Sequence, residues 1–186
     1  MSEVSVEDET KIRAQAGAQL SKIASCALEQ SLEGFEFAAG IPGTLGGAVV
    51  MNAGAYGGEL KDVLVEATVL DTEGNVRTLK NEELELGYRH SIVKEKNYIV
   101  LEVVIELKKG SADSIKAVMD DLKEKRVSKQ PLDRPSAGST FKRPEGHFAG
   151  KLIMDAGLRG FQVGGAQVSE KHCGFVVNAG GATAED

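Results

Sequence analysis

Residues 134–146 read RPSAGSTFKRPEG, with one serine, Ser139, between Gly138 and a run of bulky and basic side chains that includes Lys142 and Arg143. A connection that only had to turn would be better served by Asn-Gly or Pro-Gly, which supply the backbone angles without a hydroxyl beside two cations. The stretch reads as a site: a hydroxyl to move a proton, and positive charge to meet an anion. Just upstream, KEKRVSKQPLDR (123–134) adds Lys123, Lys125, Arg126, Lys129 and Arg134. Such a run is usually a solvated helix face. Its position before Ser139 leaves a second use open, holding an anionic substrate.

The densest signal is GIPGTLGGAVVMNAGAYGG at 40–58, with seven glycines, at 40, 43, 46, 47, 54, 57 and 58. Backbone so poor in Cβ atoms lets a ligand approach closely and presents consecutive N–H groups to phosphate or to the carbonyl oxygens of a flavin. The spacing is neither the G-x-G-x-x-G of a dinucleotide fold nor the G-x-x-x-x-G-K-[ST] of a P-loop. Two readings stay open on spacing alone: a cofactor cradle, or a crossing where two backbone segments pack.

The elements that must position these residues alternate between strands and helices. KIRAQAGA (11–18) is a candidate strand, followed by a helix whose Leu20, Ile23, Ala24, Ala27 and Leu28 form one apolar stripe and which is expected to stop near Gly34. The runs at 62–72 and 75–80 form a hairpin about Glu73-Gly74-Asn75, and 97–109, rich in β-branched residues, is the strongest strand. A helix over 112–126 puts Ile115, Val118, Met119 and Leu122 on one face. Two prolines and lost periodicity in SKQPLDRPSAGS (128–139) mark a boundary near 128–134, giving expected units 1–128 and 129–186. Beyond it come a short helix carrying Phe148, Leu152, Ile153 and Ala156, ended by Gly157, and a strand at GFVVN.

Composition sets the outer limits. At 186 residues, 41% hydrophobic and 27% charged, the chain has the make-up of a soluble globular protein. No apolar run approaches the roughly 20 residues a membrane helix needs, and the acidic N-terminus has no apolar core of a secretory signal. A cytoplasmic protein with no membrane partner is expected. A net charge of −6 disfavours nucleic acid as a partner. Cys26 and Cys173 have no metal-ligand spacing, so two reduced thiols and no metal site are expected.

Five blocks in order, GIPGTLGGAVVMNAGAYGGE, LGYRHSIVK (86–94), SAGSTFKRP (136–144), AGKLIMDAGLRGFQVGGAQVSEKH (149–172) and NAGGATAED (178–186), resemble the UDP-N-acetylenolpyruvoylglucosamine reductases. The short connection after GYRHSIVK is similar to the family's second type. The resemblance implies an α+β architecture, an FAD-binding α/β unit of the vanillyl-alcohol-oxidase/reductase type followed by part of a substrate-binding α/β unit. It implies FAD and NADPH as cofactors and a UDP-sugar as substrate. Ser139 matches the family's proton donor, and Arg89 its carboxylate-holding arginine, with Tyr88 beside it; Arg89 alone would read as a surface ion pair. It further implies cofactor contacts from Gly40, Ile41, Pro42, Gly43, Thr44, Gly46, Gly47, Ala48, Asn52, Gly54, Ala55 and Tyr56, and substrate contacts from Lys129, Arg143 and Gln162. Alternation along an extended segment puts Lys142 on the face opposite Ser139, with Phe141 on the serine's side, so Lys142 is not given the proton relay. His147 and His172 receive no catalytic role and read as structural or exposed.

Two departures from the family pattern are expected to matter. The chain reads as starting after a first FAD lobe and as stopping before a strand bearing an active-site glutamate. The expectation is a fragment that is inactive by itself and self-associates through apolar surface. A different flavoenzyme of the same superfamily and a non-catalytic binding remnant are the alternatives; a serine proton donor serves a reduction and argues against the first.

Overall fold

The computed structural model describes residues 1–186 and divides into two units, Met1–Lys123 and Glu124–Asp186. In the first, the elements run β1 (Val4–Val6), β2 (Lys11–Gln15), α1 (Leu20–Glu29), β3 (Leu32–Glu33), α2 (Leu45–Val50), β4 (Gly54–Ala55), β5 (Gly58–Glu59), β6 (Leu64–Leu70), β7 (Val76–Lys80), α3 (Ile92–Glu95), β8 (Ile99–Glu106), β9 (Lys108–Lys109) and α4 (Ala112–Lys129), whose last turns pass the division. A five-stranded sheet in the order β1-β2-β8-β6-β7 is antiparallel throughout. The class is α+β, as the sequence implies, with all sheet neighbours antiparallel. β8 lies between β2 and β6, which explains its β-branched composition: Val100, Val103, Val104 and Ile105 are all buried.

Helix α1 buries Leu20, Ile23, Ala24 and Ala27 of the expected stripe and leaves Leu28 half-buried. It ends at Glu29, well before Gly34, because Ser31 turns the chain at φ +56 and the backbone enters β3. The β6–β7 hairpin forms about Gly74 at φ +85, and Asp71 accepts the N–H groups of Glu73 and Asn75 at 2.9 and 2.8 Å. This is an Asx-type turn, the local bonding that favours aspartate at such positions. On α4, Ile115 is buried and Met119 packs against the core, but Val118 is 46% exposed. One edge of α4 meets the core, so its buried stripe is narrower than the four residues expected.

In the second unit, β10 (Ser136–Ser139), β13 (Phe175–Asn178), β12 (Ala166–Val168) and β11 (Gln162–Val163) form an antiparallel sheet in the order β10-β13-β12-β11, with α5 at Ala149–Asp155. Gly157, at φ +75, ends α5 as expected: its N–H bonds the carbonyl of Met154, and Leu158 N–H bonds that of Ile153, the paired closure of a Schellman motif. The buried apolar side chains of this unit are Pro131, Cys173, Phe175 and Val177, whereas Phe148 and Leu152 of the expected α5 stripe are 61% and 46% exposed. No helix is long and apolar enough to cross a membrane. Both cysteines are free thiols, and burial pushes the Cys26 thiol up.

Candidate functional site

The glycine-bearing stretch is built from two small elements. At its start, α2 begins after Thr44, whose backbone bridges Gln19. The N–H groups of Leu45 and Gly46 bond the carbonyls of Ala18 and Ala16 at 2.9 and 2.8 Å. Those two first-turn donors are therefore spent on the β2–α1 connection and are not presented to a phosphate. A Cβ on Gly46 would lie 3.0 Å from the Cβ of Ala16, so this glycine serves the crossing of two backbones. Gly58 does likewise, since a Cβ there would come within 2.7 Å of the Phe37 ring.

Gly43 and Gly47 differ. An added Cβ would meet nothing of the chain within 4 Å at Gly43, and only Thr44 Oγ1 at 3.9 Å at Gly47. Both are exposed, as are Gly40, Pro42 and Thr44. The fold's own packing does not require glycine at 43 or 47, and open backbone of this kind fits close approach by a flat cofactor such as FAD. The crossing reading thus holds at Gly46 and Gly58, while Gly43 and Gly47 leave room for a ligand. Its far end is the β4–β5 hairpin, whose Tyr56 and Gly57 lie at φ +55 and +90, the pattern of a two-residue type I′ turn. Tyr56 is 44% exposed there.

Arg89 reaches this stretch from a second tight turn. Gly87 and His90 exchange backbone hydrogen bonds at 3.1 and 3.2 Å, which places Tyr88 and Arg89 at the centre of the turn. Arg89 has φ +55. A turn optimised for stability would use Gly or Asn there, so the arginine is held in a costly backbone conformation. Its Nη1 donates to the carbonyl of Asn52 at 3.4 Å and its Nη2 to that of Gly54 at 3.1 Å, and the guanidinium lies 5.1 Å from the centre of the Tyr88 ring. The GYRHS and glycine-rich blocks, far apart in sequence, form one local assembly. Asn52, expected to contact the cofactor, is fully buried with both ends of its amide bonded within the protein, and Ala48 is buried as well. Neither side chain faces outward.

In the second unit, Ser139 ends β10 and is exposed. Three residue steps on β10 oppose two on β13, from Ser136↔Val177 to Ser139↔Phe175, and Gly138 lies at φ +88. Such a bulge re-aims the residue that follows it. Extended pairing stops at Ser139, with Thr140 N–H bonding the carbonyl of Gly174 at 2.9 Å, so the alternation expected to separate Lys142 from Ser139 does not reach Lys142. Arg143 stacks 3.9 Å from the centre of the Phe148 ring and donates to the His147 carbonyl at 3.3 Å. Gln162 donates to the carbonyl of Gly164 at 2.8 Å, and Lys129 is exposed at the end of α4. His172 Nδ1 accepts the Gly174 N–H at 3.1 Å, a structural use. Motif reading did not find a recess of about 170 Å³ lined in part by Asp133, Arg134, Gln167, Glu170 and Lys171. Its only trace in sequence is Arg134 at the end of the basic run.

Comparison with known proteins bears on both units. Residues 1–80 match the protein-family model described as FAD binding domain, and residues 130–186 the one described as UDP-N-acetylenolpyruvoylglucosamine reductase, C-terminal domain. The chain is 66% identical over 175 residues to UDP-N-acetylenolpyruvoylglucosamine reductase of Agathobacter rectalis, a match covering 94% of this chain and 56% of that protein. It is 59% identical over 185 residues to the reductase of Alkaliphilus oremlandii, covering 100% of this chain and 60% of that one. The crystal structure of UDP-N-acetylenolpyruvylglucosamine reductase from Thermus caldophilus superposes with a TM-score of 0.87 at 38% identity, covering 97% of this chain and 66% of that one. The chain thus spans little more than half the length of the curated relatives it matches.

Proposed function

We propose that this chain, which belongs to the UDP-N-acetylenolpyruvoylglucosamine reductase family, serves the reduction of UDP-N-acetylglucosamine enolpyruvate to UDP-N-acetylmuramate in peptidoglycan synthesis. FAD is the resident cofactor, NADPH the electron source, and the setting the cytoplasm, with neither nucleic acid nor membrane as partner. The observation that supports this best is the Arg89 guanidinium, held in a strained turn against the carbonyls of Asn52 and Gly54, in the same glycine-rich stretch whose backbone is open at Gly43 and Gly47. The flavin, when bound, supplies a hydride to C3 of the enolpyruvyl ether.

The chain's own residues handle the charge and the proton. Arg89 holds the substrate carboxylate and stabilises negative charge spreading from C2 into it, an interaction that strengthens as the reaction proceeds. Its planar fork fits a carboxylate in a way a lysine cannot. Ser139 gives its proton to C2, so that C3 gains a hydride, C2 a proton, and the double bond is lost while the ether survives. The hydroxyl regains a proton afterwards from solvent or a better acid. Tyr88 flanks the carboxylate, and Lys129, Arg143 and Gln162 take the diphosphate and sugar. The 186 residues alone are proposed to hold flavin substoichiometrically and to be inactive.

Ser139→Ala tests the assignment, in a protein that carries this chain at the length of its relatives. Flavin reduction by NADPH should change by less than about twofold, while reoxidation by the enolpyruvyl substrate slows roughly 10²- to 10⁴-fold. Equal slowing of both half-reactions would show that the serine does not donate the proton.

A further inference from the structure

We infer that Asn52 is a positioning residue for Arg89: its buried amide clamps the Gly87–His90 turn against the glycine-bearing loop and so aims the guanidinium. The inference rests on the reading of Arg89 as the holder of a carboxylate. Asn52 is 0% exposed. Its Nδ2 donates to the carbonyl of Gly87 at 3.1 Å, and its Oδ1 accepts the N–H of Lys61 at 2.9 Å. Its own carbonyl accepts from Arg89 Nη1. One residue thus touches the base of the arginine's turn, the arginine's head and the far side of the loop.

The surroundings agree with that role. Ser91, also 0% exposed, donates to the carbonyl of Val50 at 2.9 Å, a second tie between the same two segments. Asn52, Tyr56 and Arg89 all have positive φ, at +40, +55 and +55. Strained conformations persist where surrounding bonds over-determine them, and at the arginine's turn those bonds converge on Asn52. The Gly87 carbonyl accepts both the His90 N–H that closes the turn and the Asn52 amide that anchors it. Without the amide, a half-buried carbonyl loses one partner, and the turn is fixed to the loop by Ser91 and the guanidinium alone. Asn52 therefore acts on substrate through Arg89 and touches neither cofactor nor substrate.

Hydrogen exchange and NMR on the ¹⁵N-labelled chain provide the test, with the Arg89 guanidinium signals identified by their loss in Arg89→Lys. Asn52→Leu keeps the volume and removes both ties; exchange at Tyr88–His90 and at the guanidinium should quicken roughly tenfold or more. Asn81→Ala is the control, since Asn81 ties the carbonyls of Lys61 and Leu64 without touching the arginine's turn. It should leave Arg89 unchanged. Asn52→Asp adds a pH profile that general loosening does not produce. A protonated carboxyl can still donate to Gly87, whereas the ionised form keeps only the acceptor for Lys61. Arg89 should then match wild type at low pH and be released as pH rises, with the Lys61 amide protected throughout.

Should Asn52→Leu fail to fold, the Asn52→Asp profile decides alone. A second readout, in a protein that carries this chain at the length of its relatives, is titration with UDP-N-acetylmuramate, for which Asn52→Asp at neutral pH should weaken binding several-fold with FAD affinity unchanged. Exchange at Arg89 that ignores the Asn52→Asp ionisation, or equal disturbance by Asn81→Ala, overturns the inference. So does a fall in FAD affinity without release of Arg89. Variants that show the exchange pattern, together with a wild-type protein at the length of its relatives that binds no product, would sink the reductase reading and uphold the clamp.

Discussion

The two units treat their apolar residues in opposite ways. In Met1–Lys123, strands β2, β6 and β8 and helices α1 and α2 enclose Ile12, Ile23, Phe35, Val49, Leu84 and Ile105, each at most 2% exposed. In Glu124–Asp186, Phe141, Phe148, Phe161 and Val163 are each about half exposed or more, and burial is confined to Pro131 and residues on or beside β13. The same contrast separates the two proposed site residues, each within its own unit: Arg89 is wired to a core through buried Asn52 and Ser91, while Ser139 sits exposed at the end of a bulged strand. The proposed carboxylate holder thus rests on a packed foundation. The proposed proton donor rests on a small sheet whose apolar side chains the described residues do not enclose, and a small layer with little buried area has little stability to spare.

Core truncation would break this comparison most sharply. Phe35→Ala and Ile12→Ala should each cost about 2–5 kcal/mol in urea unfolding, because a cavity is left in enclosed surroundings. Leu152→Ala on α5 should cost at most about 0.5 kcal/mol, like other exposed substitutions. Equal costs would mean that α5 is packed in solution.

Exposed apolar surface also favours association. Sedimentation of the 186-residue chain should show concentration-dependent oligomers, and Phe148→Ser with Leu152→Ser should weaken them several-fold. A wild-type chain that stays monomeric up to high concentration would sink this prediction.

The smallest effect lies in the first unit, at the β6–β7 turn. Hydrogen bonding from the Asn75 backbone N–H, helped by the Asn75 side chain, the Glu73 N–H and Arg77, holds the Asp71 carboxyl below the usual aspartate value of 3.8. A lowered carboxyl stabilises the fold above its unfolded value, and that contribution is lost as pH falls through the folded one. Asp71→Asn should therefore lower the thermal midpoint modestly at pH 7, with the difference from wild type closing below about pH 4. A gap that persists under acid would assign the effect to turn geometry and not to charge.

Sequence by itself determined what depends on neighbours along the chain. The α1 stripe, the β6–β7 turn, the run of β8 and the stop at Gly157 follow from local period and backbone preference, and five ordered blocks pointed to the family. Tertiary structure decided what depends on partners from elsewhere. β8 settles between β2 and β6; the first turn of α2 spends its donors on Ala16 and Ala18; Asn52 turns inward to a carbonyl 35 residues away. An asparagine in a glycine-rich run looks the same in sequence whether its amide faces a ligand or a buried carbonyl. Hydrogen-bond partners are chosen by chain crossings, and no local pattern encodes which crossing the backbone will make.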